Sequence, residues 1–355
     1  MHFDLTGIDA LLIDEFDNFK NRRRVSKIAG LAYRKNTKRA AQIEAMLHYV
    51  RERYNGRTVG ATATFVPNAI GEMHTVTSQL APWLLVERGI VDFDSWAAAF
   101  TRAESRVETT VEGSSLRIKE RHRYTNTHEL GQLWSQFIDY KSKSDLPYIP
   151  EPPLAPRDSD GAREAEIMVC PRLPEHHAYT QHLLDRALLI TEKKVKPNQD
   201  NWLLLTHHAR EMALDPRLRG LDPSGPTKLD IAADKIAEIY RRYQGATYTD
   251  SATGEQLPAK GAMQAVFCDL STPKLAWNVY DELTAQLVQR GIPRERILRM
   301  QDAKNEDEKS RYMDMCNNGE VDVIIGSTPT MGVGVNIQRW GWPSTTWTPR
   351  IGRAT

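Results

Sequence analysis

The sequence predicts an α/β fold with parallel sheets, organised as two lobes. Three observations point there. Residues 8–13 form a short apolar run that ends at two adjacent carboxylates, Asp14 and Glu15, which suits a strand buried on both faces of a parallel sheet. From Thr227 onward, helical and strand-like stretches alternate, the rhythm of a parallel sheet with crossover helices. Between the two regions, residues 143–165 carry prolines at 147, 150, 152, 153 and 156, a density that disfavours helix and central strand alike.

The bulk properties exclude some functions. With 355 residues the chain can build two domains with proper cores. A net charge of +1 excludes a global basic field, so any nucleic-acid contact must rest on local patches. Cys170, Cys268 and Cys316 lie far apart and give no zinc spacing, which fits a reducing, cytoplasmic setting. The pairs His176–His177 and His207–His208 lack cysteines at zinc spacing and read as surface residues. No apolar run approaches about 18 residues and the N-terminus shows no leader pattern, so no membrane association is expected.

Strand ends in parallel sheets open onto the ligand crevice. An Asp followed by Glu there is the acidic half of an ATPase site, Asp14 holding Mg²⁺ and Glu15 polarising the attacking water. Asp14-Glu15-Phe16-Asp17 followed by Asn18-Phe19-Lys20-Asn21 resembles the Asp-Glu-x-His/Asp box of superfamily 2 helicases and translocases. More narrowly, it looks like the form found in chromatin-remodeller-like, Swi/Snf-type helicases of bacteria, phages and plasmids, which are often linked to adenine-specific DNA methylases. The resemblance implies two RecA-like lobes, ATP and Mg²⁺ as cofactors, DNA as partner, and a methylase domain or neighbouring polypeptide nearby. It also implies a coupling role for Asp17 and nucleic-acid or cleft contact for Lys20 and Asn21.

Residues 22–54 read as basic and mostly helical. Asn36 or Thr37 caps a helix with Ala40, Ile43, Leu47 and Val50 on one face. Arg22, Arg23, Arg24, Arg34, Lys35, Lys38 and Arg39 suit either phosphate contact or a solvated face, and the residues alone leave both open. Thr58 to Ala61 reads as a second strand, feeding Thr62-Ala63-Thr64-Phe65-Val66-Pro67-Asn68. That run resembles the third motif of the same helicases, with Phe65 where the pattern has Pro. It assigns Thr62, Thr64 and Asn68 to coupling, since hydroxyls at a strand end can relay a hydrogen bond from the acidic pair. Asn68 is expected to cap a helix through Glu72, Met73 and Val76 to Leu80. Residues 81–142 read as alternating short helices and turns, a helical extension of the first lobe. Phe93 to Phe100 and Glu129 to Tyr140 are its amphipathic helices, with Thr127 as a cap.

Residues 143–226 are linker and connector, with a strand at Ile167 to Cys170, a helix over about 175–193 and a second break at Asp222 to Pro226. The second lobe spans 227–338. Helices are expected at Lys228 to Tyr243, Leu275 to Arg290 and Glu306 to Asn317, and strands at Gln264 to Cys268, Ile297 to Met300 and Val321 to Gly326. Phe267-Cys268-Asp269-Leu270-Ser271-Thr272-Pro273 and the run from Gly326 to Gln338 resemble two further boxes of the family. In the latter, Ser327, Thr328, Gly332, Gly334, Asn336 and Gln338 are implied to contact nucleic acid or line the cleft. Glycines flanking one residue permit close backbone approach to a phosphate.

Two expected parts are missing. Gly-x-x-x-x-Gly-Lys-Ser/Thr occurs nowhere in the sequence, so the phosphate-gripping lysine lacks its motif. The first lobe is therefore expected to be truncated at its N-terminus. The sixth motif with its arginine finger is also missing. Arg350-Ile351-Gly352-Arg353 resembles it only superficially, with Arg353 as the candidate finger, and residues 339–355 read as an atypical, out-of-frame tail. The resulting reading is a superfamily 2 helicase core, impaired when alone. The competing reading is a non-catalytic DNA- or partner-binding remnant. Translating the other two frames of the coding DNA beyond codon 338 is expected to yield an arginine-rich sixth motif, and its absence from both removes the frameshift idea.

Overall fold

The computed structural model describes residues 3–32, 37–63, 69–109, 116–146, 161–164, 166–249, 254–271, 273, 277–332, 335–337 and 345–347. The fold is α/β, in two compact units, Met1–Glu151 and Pro152–Thr355.

In the first unit, β1 (Leu11–Ile13) pairs in parallel with β2 (Thr58–Gly60), and α1 (Lys38–Tyr54) makes the return between them. Thr37 caps α1, its hydroxyl accepting from Ala40 N at 3.2 Å. Ala40, Ile43, Leu47 and Val50 are all buried, and Ile43 and Leu47 pack with Phe16, Val76, Leu11 and Ile13. The β1–β2 sheet is not buried on both faces as expected. Leu12 is 80% exposed and its partner Val59 is 51% exposed, because α1 covers one face and no described element covers the other. Residues 22–32 are not helical. The arginine run takes an irregular path that turns Arg24 inward to donate to Thr75 Oγ1 (3.2 Å) and leaves Arg22 paired with Glu44 (2.7 Å).

A second core forms where α2 (Gly71–Leu80), α3 (Pro82–Glu87), α4 (Phe93–Phe100) and α5 (Thr127–Trp134) meet around Trp96, Met73, Leu85 and Leu133. Asp92 caps α4 through Ser95 N (2.9 Å), while Asn126, and not Thr127, precedes α5. This extension also contains a hairpin that the sequence pattern did not predict. β3 (Thr101–Thr109) pairs antiparallel with β4 (Leu116–Tyr124) over nine rungs. The ribbon has little apolar alternation, and periodicity alone cannot identify a strand solvated along much of its length.

In the second unit, α6 (Pro174–Thr191) and α7 (Trp202–Leu214) form a helical pair, bound by an Arg186 fork on Asp200 at 2.7 Å. The strand expected at Ile167 to Cys170 is irregular. Ile167 and Val169 are 86% and 84% exposed, with no strand among the described residues paired to hold them. His177 and His207 are exposed as expected. His176 instead accepts from Leu173 N at the start of α6, and His208 is half-buried beside Arg186.

α8 (Lys228–Tyr243) begins at a reciprocal Thr227–Asp230 cap, and β5 (Thr247–Thr249) and β6 (Gln256–Lys260) form a short hairpin. Then follow β7 (Gln264–Phe267), α9 (Val279–Gln289), β8 (Ile297–Arg299), α10 (Glu306–Asn317), β9 (Val323–Gly326), α11 (Thr328–Met331) and β10 (Thr345–Trp347). The sheet is all parallel in the order β10-β7-β9-β8. Here both faces are covered: Val323 and Ile325 face the core with α8 and α9, and Ile324 faces the core with Cys316 of α10. α9 starts later than expected because Asn278 caps it, accepting from Asp281 N (2.9 Å). Residues 345–347 extend the sheet beside β7, beyond the lobe boundary expected at 338. Among the described residues, no helix is long and apolar enough to cross a membrane.

His74 on α2 is buried, and its Nε2–H donates to the Val91 carbonyl at 2.9 Å. Burial lowers its pKa, and Arg22 and Arg24 add to this against the Val91 hydrogen bond and Asp92. The fold therefore favours the neutral ring. Its contribution is complete above the unfolded value of about 6.5 and is lost as pH falls below it. We expect thermal unfolding of His74→Gln, scanned from neutral to mildly acidic pH, to lose part of the parent's decline. A superimposable profile would count against this.

Candidate functional site

The acidic turn is built on a buried ring. Phe16 is 3% exposed and its N–H donates to the Ala61 carbonyl (2.9 Å), tying the end of β1 to the end of β2. Gly60 makes room for it, since a Cβ there would lie 2.6 Å from the Phe16 ring. Seating Phe16 leaves Glu15 in the left-handed region, at φ 49° and ψ 49°. A non-glycine residue pays about 1–2 kcal/mol for that conformation, and such strain clusters at functional sites. Local bonds hold it: Asn18 donates from backbone N (3.0 Å) and Nδ2 (3.1 Å) to the Glu15 carbonyl, and Glu15 N donates to Asp14 Oδ1 (2.8 Å). Asp14 is exposed and Glu15 half-buried, so both carboxylates reach solvent at the strand end.

Thr62 Oγ1 donates to Asp17 Oδ1 at 3.0 Å. The acidic turn and the Thr-Ala-Thr segment, 45 residues apart, are thus joined by a side-chain hydrogen bond. Thr64 and Asn68 lie outside the described residues. Lys20 points inward, its ammonium 3.4 Å from Glu72 Oε2, with 12% and 8% of the two side chains exposed. Tyr124 lies near the same carboxylate and donates to the Ile70 carbonyl (3.3 Å). Burial first, and the Glu72 charge second, push its phenol up to about 12. Asn21 acts through its carbonyl, which accepts from Thr37 N and Oγ1, both at 3.4 Å.

In the second unit the carboxyl ends of β7, β8 and β9 converge on a polar network. Ser327 is buried and caps α11 reciprocally with Thr330: Ser327 N donates to Thr330 Oγ1 (3.0 Å), and Thr330 N to the Ser327 carbonyl (3.0 Å). Asp269 takes Thr328 in a fork, accepting from its N at 2.6 Å and its hydroxyl at 3.0 Å. Tyr280 donates to the Cys268 carbonyl (2.6 Å), and Gln301 Nε2 donates to Tyr280 Oη (2.9 Å) and Thr330 Oγ1 (3.3 Å). Gly332 leaves no room for a side chain, as a Cβ would meet the Thr328 carbonyl at 2.5 Å. Asn336 is exposed and its carbonyl accepts from Asn317 Nδ2 (3.1 Å). Gly334, Gln338 and Arg353 lie outside the described residues.

Sequence reasoning did not single out Asp269, Tyr280 or Gln301. Asp269 stood inside a recognised box and could have been found there, whereas nothing local marks Gln301. Among the described residues, no three His, Cys, Asp or Glu side chains cluster as a metal cage. The exposed Asp14 carboxylate still fits Mg²⁺, which binds through one or two carboxylates plus substrate phosphates and water. No loop of phosphate-cradling sequence accompanies it.

Residues 1–142 match the model of a family described as a probable helicase domain. Over those residues the first unit is similar to helicase domains. A search of curated proteins gave no match.

Lys20→Met should leave Glu72 charged and buried, costing about 3–5 kcal/mol. Adding Glu72→Met should recover most of that loss in denaturant unfolding. A neutral single variant would mean that the pair does not hold this turn.

Proposed function

We propose that the chain is the core of an ATP-dependent DNA translocase of helicase superfamily 2, in the Swi/Snf-like branch, with both units RecA-like. The Thr62–Asp17 hydrogen bond carries this reading, because it joins the two motifs that the family uses to couple nucleotide and nucleic acid. The helicase-domain match over the same residues supports it. The parallel sheets and the Asp269–Thr328 fork support the second lobe.

Asp14 offers an exposed oxygen ligand for Mg²⁺ at the end of β1. Bound Mg²⁺–ATP would supply the transferable phosphoryl group. Glu15 is the group that takes a proton from the attacking water, and its strained backbone fixes the carboxylate relative to Asp14. Any shift of the acidic turn reaches segment 61–63 through Asp17 and Thr62. The sequence contains no phosphate-loop lysine motif and no proper sixth motif. In related GTPases, loss of an arginine finger costs roughly 10³–10⁵ in rate.

A second reading is favoured by one observation. The open Leu12–Val59 face is apolar, and parallel sheets are normally covered on both sides. A DNA methylase domain or a neighbouring polypeptide completing this lobe fits that face, and the chain alone then acts as a DNA- or partner-binding module.

Both readings expect little or no ATP turnover from the isolated chain. A DNA-stimulated phosphate-release rate that Glu15→Gln abolishes would overturn the expected impairment and leave a complete ATPase.

A further inference from the structure

The β3–β4 ribbon carries a charge pattern that neither the fold nor the acidic site uses. Its register sets Arg102 opposite Arg123, Glu104 opposite Arg121, Arg106 opposite Lys119 and Glu108 opposite Arg117. Directly opposed residues share a face, and so do alternate residues along one strand. Of the side chains described on one face of the ribbon, Arg102, Arg106, Arg121 and Arg123 are basic and Glu104 is acidic, a net +3, in a chain whose total is +1. Arg102, Arg106, Arg121 and Arg123 are exposed, and Glu104 bonds Arg123 at 3.2 Å.

Two of these four rungs set cation against cation. Like charges directly opposed destabilise a ladder, and a two-stranded ribbon has little stability to spare in water. Glu104 offsets part of this through its ion pair with Arg123, and an external anion would offset more. The other face does the anchoring. His122 Nε2–H donates to the Ala29 carbonyl (2.9 Å), Tyr124 donates to Ile70, and the Tyr124 ring meets Trp134 edge-on at 6.5 Å.

We propose that the charged face of β3–β4 is a nucleic-acid-binding surface that grips the phosphodiester backbone. Arg121 and Arg123 lie about 7 Å apart along β4, Arg102 and Arg106 about 14 Å apart along β3, and the ribbon is about 30 Å long. That is a linear row suited to a linear polyanion with evenly spaced charge. A two-stranded ribbon is also an element that the major groove of a duplex admits. Contacts to phosphates position a protein without reading sequence, so binding through this face is sequence-independent. The inference extends the proposed function but does not require nucleotide hydrolysis, and a chain that fails as an ATPase still binds through the ribbon.

The test uses the full chain without nucleotide. Fluorescence anisotropy follows a labelled duplex of about 20 base pairs between about 50 and 200 mM salt. Replacing Arg102, Arg106, Arg121 and Arg123 by Gln together should weaken binding at least about tenfold at low salt, equally on unrelated sequences. It should also make the slope of log affinity against log salt shallower by roughly three to four. Should the fourfold variant not fold, Arg102→Gln/Arg106→Gln should reduce the slope by about two. Unchanged slopes in a folded variant overturn the proposal. So does a loss confined to phosphatidylserine vesicles or to an acidic polypeptide, with duplex binding intact.

Discussion

Parallel strand pairing is the constraint from which most of this molecule follows. Two parallel strands cannot be joined by a tight turn, so the chain must leave the sheet, travel back and re-enter beside itself. α1 makes that return between Ile13 and Thr58, α9 between Phe267 and Ile297, and α10 between Arg299 and Val323. Each return lays a helix on the sheet and buries one apolar stripe. Each also brings successive strand ends out at the same edge. Asp17 meets Thr62 for that reason, and Asp269 meets Thr328 across 59 residues for the same one.

What holds these loops is polar and enclosed. Lys20 with Glu72, Arg24 with Thr75, and Tyr280 with the Cys268 carbonyl all place hydrogen-bonding groups where water is scarce. Leaving one of them unpaired in such a place costs far more than the pair contributes, so each enforces one geometry of its loop. The acidic turn adds a backbone constraint. Phe16 can be buried only if Gly60 stays bare and Glu15 turns left-handed. A single apolar ring therefore orients the carboxylates on which the proposed chemistry depends.

The two parallel sheets differ in completeness. The second unit closes both faces over β9, whose residues are all buried, whereas β1–β2 leaves Leu12 and Val59 in water. The β3–β4 ribbon is the opposite kind of surface, charged and exposed, with Glu104 paired to Arg123. An apolar face and a cationic face thus sit on the same unit.

Much of the fold was legible because it is local. The 3.6-residue repeat of Ala40, Ile43, Leu47 and Val50, the cap at Thr37, and the apolar runs of β7 and β9 specify element type without distant help. The α/β class follows from their order, and so does the grouping of Asp14, Glu15, Asp17 and Thr62 at strand ends. The β3–β4 hairpin was not legible, because its alternation is of charge and not of hydrophobicity. Nor was the inward turn of Lys20, the exposure of Leu12, or the roles of Asp269 and Gln301. Periodicity is written along the chain, so the sequence by itself determined which segments coil and which extend. Which lysine meets which glutamate, and which sheet face is left bare, depends on residues far apart being brought within a few ångströms. Only the tertiary structure decided that, because the energy of such contacts exists only once the distance is set.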